Sequence, residues 1–548
     1  MWGLSDSCGR MTKGVWAVVF SMGINVVLCA QERLPNEPMV LKPGEWTISK
    51  GAANKLLTEV KFWTSFPIEM ESKEQETWMR PVKETPPGIH FLRAFTGDTI
   101  TPWQTIIVDD LPLLARKDRS NDSRAKAFEL KGAAILTGTI QANKSEFYKV
   151  RLAAGEAVTM EVLAQRLLSK LDPLIRVLDE QGRQLAFNED EPGLGKDSRL
   201  RYTAKGEQTI IIEVRDSFYQ GGDQHVYALR LGDIPQLNFV YHNAKGEPVW
   251  YGPDAMSKGL ASQPSPPGIA QWHAPRLAAG KPAALVTIPL EATDVQSEAE
   301  PNDQPAKANA LPGTADVFGR FERTGDEDWF AWEAKKGEKF RVQAQTRRLG
   351  LPSDVKLSAH SADGKELATS KVAAEDEGGL EATASEEGKL FLRVSHIARL
   401  SGPEQGYRLS IQPSKTAFVV TNETGKVIVA QGGTADLKVG VVRAGYDEAI
   451  EFAIEPKVEG LTLSKAVIEA KKKEATLQFK ADASLLPGSI YQVRVESIKP
   501  VGGRVQTYSS LTNQWGTSST MATTLDGWIT VAIKAKPEEA AEKPKSSP

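Results

Sequence analysis

The chain has 548 residues, 25% of them charged and 41% hydrophobic, an ordinary globular composition with length enough for several separate cores. Its formal charge of −3 gives no field that would recruit nucleic acid or an anionic membrane. Beyond the N-terminus no long apolar helical run occurs and alternating β-branched segments are frequent, so the expected fold class is all-β, a tandem of β-sandwich modules.

Residues 1–30 read as a secretory signal. Arg10 and Lys13 precede an apolar run, Val15–Leu28, and Cys29–Ala30 offers a small-residue cleavage site, with Met11 as an alternative start. A membrane anchor is the competing reading, but the run is short for a span. Leu28 is too large to precede a lipidated cysteine, which argues against a lipoprotein. Both cysteines, Cys8 and Cys29, lie inside this segment, so the processed chain is expected to have no disulfide, no thiol chemistry and no membrane span. The expected location is secreted, or periplasmic within the cell envelope.

Residues 31–42 are polar and read as a linker. Residues 43–112 carry strand-like runs at Trp46–Ile48, Val60–Trp63, Ile89–Ala94 and Thr105–Val108, an immunoglobulin-like β module by their length and spacing. Trp63, Trp78 and Trp103 are either core or a sugar-stacking surface, and core packing is the commoner role.

Residues 117–232 and 298–413 repeat one another. Gly155, Arg166, Leu167, Asp172, Gly182, Leu185, Ala186 and Gly206 recur 182 positions later as Gly337, Arg348, Leu349, Asp354, Gly364, Leu367, Ala368 and Gly388. Tyr227–Leu229 matches Tyr407–Leu409 after a two-residue slip. Residues 233–296, Pro-rich and aromatic, read as a shortened β or linker module with a strand at Ala284–Pro289. Trp250 and Tyr251 there are core or ligand-stacking residues.

The lead-in to the second repeat holds most of the chemistry. Glu298, Glu300 and Asn302 are spaced i, i+2, i+4, and Pro301 keeps Glu300 out of the helical region, so in an extended segment the three point one way. Asp326 and Asp328 repeat the i, i+2 spacing ahead of Trp329–Trp332. If that strand returns beside the lead-in, Glu298, Glu300, Asn302, Asp303, Asp326 and Asp328 converge, with Glu327 on the opposite, solvated side. Such a cluster repels itself unless a hard cation neutralises it, and Ca²⁺ takes six to eight oxygen ligands. The bland alternative is a solvated acidic linker.

These motifs, Glu298-Ala299-Glu300-Pro301-Asn302-Asp303 followed by Gly325-Asp326-Glu327-Asp328-Trp329-Phe330, resemble the bacterial pre-peptidase C-terminal (PPC) domain. Asp363–Gly364 with Leu367–Ala368, then Gly388, then Gly406–Leu409 resemble its later part. The resemblance implies a jelly-roll-like β-sandwich, related to collagen-binding modules of secreted collagenases in which the equivalent acidic linker holds calcium. In the first repeat Lys117 and Arg119 replace Glu298 and Glu300, and Lys144 replaces Asp326, with Glu146 alone kept opposite Asp328. Three cations at ligand positions exclude a divalent metal, so the first repeat is expected to keep the fold without the site.

Residues 416–535 hold about eight short strands and read as a second immunoglobulin-like sandwich, and residues 536–548 as a disordered tail. The six histidines are scattered, with no His-Glu-x-x-His, and neither a Gly-x-Ser-x-Gly elbow nor a phosphate loop is present. The expectation is a secreted, non-enzymatic binding, adhesion or structural protein, its second PPC-like unit holding Ca²⁺. The alternative is an accessory protein that binds a polysaccharide or collagen-like matrix for separate peptidases or hydrolases. The expected partner is an extracellular protein or polysaccharide.

Overall fold

The computed structural model describes residues 38–50, 61–73, 76–114, 120–192, 194–242, 248–252, 272–273, 285–287, 295–349, 351–370, 378–402, 404–414, 417–422, 424–498, 505–507, 511–512, 518–519 and 527–536, together with Ala17–Val18. Apart from Ala17–Val18 and Lys536, the expected signal and tail lie outside these residues, as do Lys117 and Arg119. Among the described residues regular structure is all β, with only short 3₁₀ turns between strands.

The two repeats are β-sandwiches with one strand order. In the first, Ala134–Thr139, Val226–Gly232, Ala157–Leu163 and Arg199–Thr203 form one sheet. Gln184–Glu189, Pro173–Leu178, Gln208–Asp216, Ser145–Leu152 and Phe128–Leu130 form the other. In the second, Ala315–Arg320, Gly406–Pro413, Lys339–Gln345 and Gly379–Thr383 repeat the first sheet, with Val295–Ser297 added at its edge. Glu366–Thr369, Val355–His360, Gly388–His396, Glu327–Ala334 and Asn309–Ala310 repeat the other. The register irregularity at Val177/Leu178 recurs at Ala359/His360. Alternation sets the cores: Phe340, Val342 and Ala344 point inward while Lys339, Arg341 and Gln343 face out.

The N-terminal region departs from expectation. Met39–Leu41, Gln104–Val108 and Gly88–Phe95 share one sheet with Trp272–His273, Val286–Thr287, Phe239–His242 and Pro248–Tyr251. Residues 43–112 and 233–296, read as separate modules, are therefore joined edge to edge through Trp272↔Ile89, with the first sandwich inserted between them. Pairing across so long an insertion leaves no periodic trace in either segment. Trp63 and Trp103 are buried edge to face, 6.0 Å apart, as core residues. The side chains of Trp250 and Tyr251 lie outside the described residues.

The first sandwich is covered on its outer face by this N-terminal unit. All seven residues of Val226–Gly232 are buried, whereas Gly406–Pro413 alternates between buried and accessible. Val40, Ile89, Ile107 and Leu111 pack on Ile135, Leu163 and Ala228 across the junction. A fully buried ionic network crosses with them. Arg230 donates to Asp109 and to Glu161, both at 2.7 Å, while Arg166 donates to Glu161 at 2.9 Å and to Asp197 at 2.6 Å. Burial alone would raise the Glu161 pKa, but Arg166 and Arg230 outweigh it and hold the carboxyl down at about 2.

The C-terminal sandwich packs Thr434–Ala444 and Glu474–Ala481 against Ile490–Ser497 and Trp528–Lys534, over a core of Leu437, Phe452, Phe479, Val493 and Val531. It returns to the start of the chain. Ile490 and Trp528 pack on Trp63, Phe91, Trp103 and Leu168, and Arg93 donates to Thr530 Oγ1 at 2.7 Å.

Candidate metal centre

Glu298 leaves the Val295–Ser297 strand with its N–H bonded to Phe318 O, and its side chain turns under the sheet. There Oε1 accepts the N–H of Arg320 and Oε2 accepts the hydroxyl of Tyr407 at 3.1 Å. Asn309 clamps the backbone of Ala299 from both sides, and Asn302 O accepts the N–H of Trp329, so the lead-in is stitched to the Glu327–Ala334 strand.

On that strand Asp328 shares the inward face with Phe330, Trp332 and Ala334. A carboxylate therefore stands at the end of an apolar core, fully buried, with Oδ2 bonded to Tyr407 and Oδ1 without a partner. Carboxylate oxygens of Glu298, Glu300 and Asp328 lie within 4.8 Å of one another, and among the described residues none of the three forms an ion pair. Burial, with Glu298 close by, pushes the Asp328 carboxyl up to about 9. Burial also carries Glu298 up to about 7, against the opposing N–H of Arg320 and hydroxyl of Tyr407. The buried Tyr407 hydroxyl has one proton for two acids, so one of them must be protonated, or a cation must be present, for all three oxygens to be satisfied.

Asn302 is fully buried beside this group. It comes near enough to Glu298 to lower that acid's proton affinity, yet neither atom of its amide completes a hydrogen bond. An orphaned amide oxygen, an orphaned carboxylate oxygen and two further carboxylates are the donor set of a hard cation, and these residues fit Ca²⁺.

Two of the six expected ligands go elsewhere. Asp303 pairs with Arg323, and Asp326 accepts from Arg323 Nε at 3.1 Å and from the N–H of Glu322 at 2.7 Å. The turn at Gly325 brings Arg323 back over both acids, a closure that side-chain alternation does not describe. Asp326 still acts through its charge, which adds to the raised pKa of Asp328. Glu327 faces out beside Arg393 at 3.7 Å. Tyr407 is the site residue the acidic pattern missed. Its signal was its recurrence at Tyr227, each tyrosine lying opposite a glycine across the sheet, Gly319 and Gly138.

The first sandwich shows what fills the same place around a single acid, Glu146. Tyr148, where the second repeat has Phe330, brings a hydroxyl against Tyr227, and both hydroxyls donate to Glu146, at 3.0 and 2.6 Å. Asn121 donates its amide to Phe147 O at 3.2 Å, where Asn302 has no partner. Lys144 lies 3.9 Å from Asp122.

No family model matches the chain, and no curated protein matches it. Among solved structures, the pre-peptidase C-terminal domain of a Bacillus anthracis collagenase aligns with 19% of this chain and 93% of its own, at 13% identity and a TM-score of 0.16. PliG of Aeromonas hydrophila, a periplasmic inhibitor of g-type lysozyme, aligns with 22% of this chain and 99% of its own, at 12% identity and a TM-score of 0.16. SGBP-B from the mixed-linkage glucan utilization locus of Bacteroides ovatus aligns over 70% and 74%, at 10% identity and a TM-score of 0.13. At these identities and scores the likenesses assign no function.

Proposed function

We propose that this is an exported, non-enzymatic binding protein whose second sandwich is braced by Ca²⁺. Glu298, Glu300, Asp328 and the Asn302 amide oxygen would hold the ion, and the ion would neutralise charge that the fold otherwise carries as protons. The observation that carries this reading is the buried Asp328 with an orphaned oxygen, facing Glu298 and the orphaned Asn302 amide. Bracing would fix the lead-in to the Glu327–Ala334 strand and so hold the second sandwich at a set angle to what precedes it.

The test is a thermal melt of the whole chain in EDTA and in millimolar Ca²⁺. A ligand bound only by the folded state adds about 2.7 kcal/mol at about a hundred times its Kd, several degrees for a unit of this size. A calcium-dependent rise that Glu300→Ala diminishes is the expected result. Identical melts in both conditions would reduce the cluster to buried acids that keep their protons.

A further inference from the structure

The sheet of the first sandwich that faces away from the N-terminal unit carries exposed rings in an ordered setting. Ile175, Val177, Ile212 and Val214 point into the core, so the residues between them form the outer face. Opposite residues across the strands share a face, which gives a row Phe187–Arg176–Glu213–Phe147. The adjacent row is Glu189–Leu174–Arg215–Ser145. Phe187 is 56% exposed, and the loop after Gln208–Asp216 raises Phe218, 72% exposed, and Tyr219, 47% exposed.

Everything beneath the rings is fixed. Arg176 donates to Glu213 at 2.7 Å, Ser145 holds the other Glu213 oxygen at 2.7 Å, and the Arg215 guanidinium lies 4.2 Å from the centre of the Tyr219 ring. Asp216 Oδ1 accepts the N–H of Phe218 and of Gln220, each at 2.9 Å, and Asn143 donates its N–H to Tyr219 O. Two strand spacings and one side-chain repeat separate Phe187 from Arg215 and the ring above it, roughly 12 Å. Leu185 continues the Phe187 side of its strand into a groove of about 300 Å³ lined by Tyr202, Lys205, Glu207 and Gln208.

We propose that this face is a glycan-binding platform that takes a neutral polysaccharide along the track Leu185, Phe187, Tyr219 and Phe218. A protein interface concentrates apolar side chains at its centre and depletes charge there, whereas here Phe187 stands apart from the Phe218–Tyr219 pair with guanidinium and carboxylate between. A sugar chain presents C–H faces and hydroxyls in alternation, matching rings separated by fixed hydrogen-bonding groups. The charges on the face nearly cancel, Arg176, Arg215, Lys149, Arg151 and Lys205 against Glu213, Glu189, Glu129 and Glu207, so neither a nucleic acid nor an anionic surface is strongly favoured. Because the groups are already ordered, little conformational entropy is lost on binding. The platform belongs to the first sandwich alone. In the second, Thr369, Ala398 and Arg399 stand where Phe187, Phe218 and Tyr219 do, and the left-handed backbone at Tyr219, φ 57°, recurs at Arg399, φ 56°.

This proposal rests on the binding-protein reading, and one experiment separates the two. The full chain, with calcium present, is run through native gels cast with hydroxyethylcellulose, xylan or mixed-linkage β-glucan, and reducing ends are assayed on the same polysaccharides. Retardation in at least one gel is expected, weakened about tenfold by Phe187→Ala or Tyr219→Ala, with Leu400→Ala in the second sandwich as an unaffected control. Retardation unchanged in both variants, or no retardation in any gel, overturns the platform. New reducing ends together with variant-sensitive retardation would keep the platform and sink the non-enzymatic reading. Unaltered melting of the exposed-ring variants separates lost binding from lost folding.

Discussion

Asp328 is an acid placed where a core residue belongs, and its behaviour depends on what neutralises it. Without a cation, the folded chain keeps protons on Asp328 and Glu298 that the unfolded chain releases in the ordinary carboxylate range. By linkage, the state that binds more protons loses ground as pH rises. Stability in EDTA is therefore expected to be full below the ordinary carboxylate range and to fall as pH climbs through about 7 and on to about 9. Saturating calcium, which favours the ionised acids, should flatten that fall. Asp328→Asn supplies a neutral isostere that still accepts from Tyr407. At pH 8 in EDTA it should stabilise the second sandwich by roughly 1–3 kcal/mol and abolish the response to calcium. A variant less stable than the parent in EDTA, yet still raised by calcium, would place the ion elsewhere.

At the scale of strands and turns, the glycine–tyrosine pair decides whether the site can form. A Cβ built on Gly319 would stand 2.3 Å from the Tyr407 ring and 2.7 Å from Glu298 Oε2, and one on Gly138 would stand 2.4 Å from Tyr227. Gly319→Ala must push Tyr407 off both acids, at a cost of about 1–3 kcal/mol for overpacking, and should weaken calcium binding as well. Gly313→Ala meets only ordinary contact with Phe340 at 3.7 Å and serves as the control. Equal melting temperatures for the two variants would show that Tyr407 is not held as described. The same elements show how far the chain could be read. The alternation of Phe340–Gln345, the offset of eight matching residues and the convergence of Glu298, Glu300 and Asp328 were legible, because side-chain period and repetition are local properties of the sequence. Arg323 capturing Asp303 and Asp326 was not, since it depends on how one turn closes. The joining of residues 88–95 to 272–273 was hidden for a related reason: a strand pair records its partner only in three dimensions.

For the whole molecule, the contacts of Arg93 and Trp528 mean that modules in series along the chain are not modules in a line. The C-terminal sandwich packs on the N-terminal unit, so the second sandwich is anchored at both ends, through Val286–Thr287 on one side and the returning sandwich on the other. Arg93 is central to that closure. Its guanidinium lies 4.5 Å from the centre of the Trp103 ring, donates to Thr101 O and Thr530 Oγ1, and is pushed by burial down to about 9, so it remains charged at neutral pH. Removing it leaves Thr530 and Gln492 to satisfy each other and takes a stacked cation from the junction, while the core of each sandwich is untouched. Arg93→Ala should therefore release the C-terminal sandwich without unfolding it. Small-angle scattering should report a larger radius of gyration, with far-ultraviolet circular dichroism unchanged. Arg230→Met is expected to act differently, because it leaves buried Asp109 without a cation and Glu161 with Arg166 alone, at about 3–5 kcal/mol, and should unfold the first sandwich together with the N-terminal unit. An Arg93→Ala chain as compact as the parent would show that the apolar contacts of Trp63, Phe91 and Trp103 with Trp528 hold the closure without the charge.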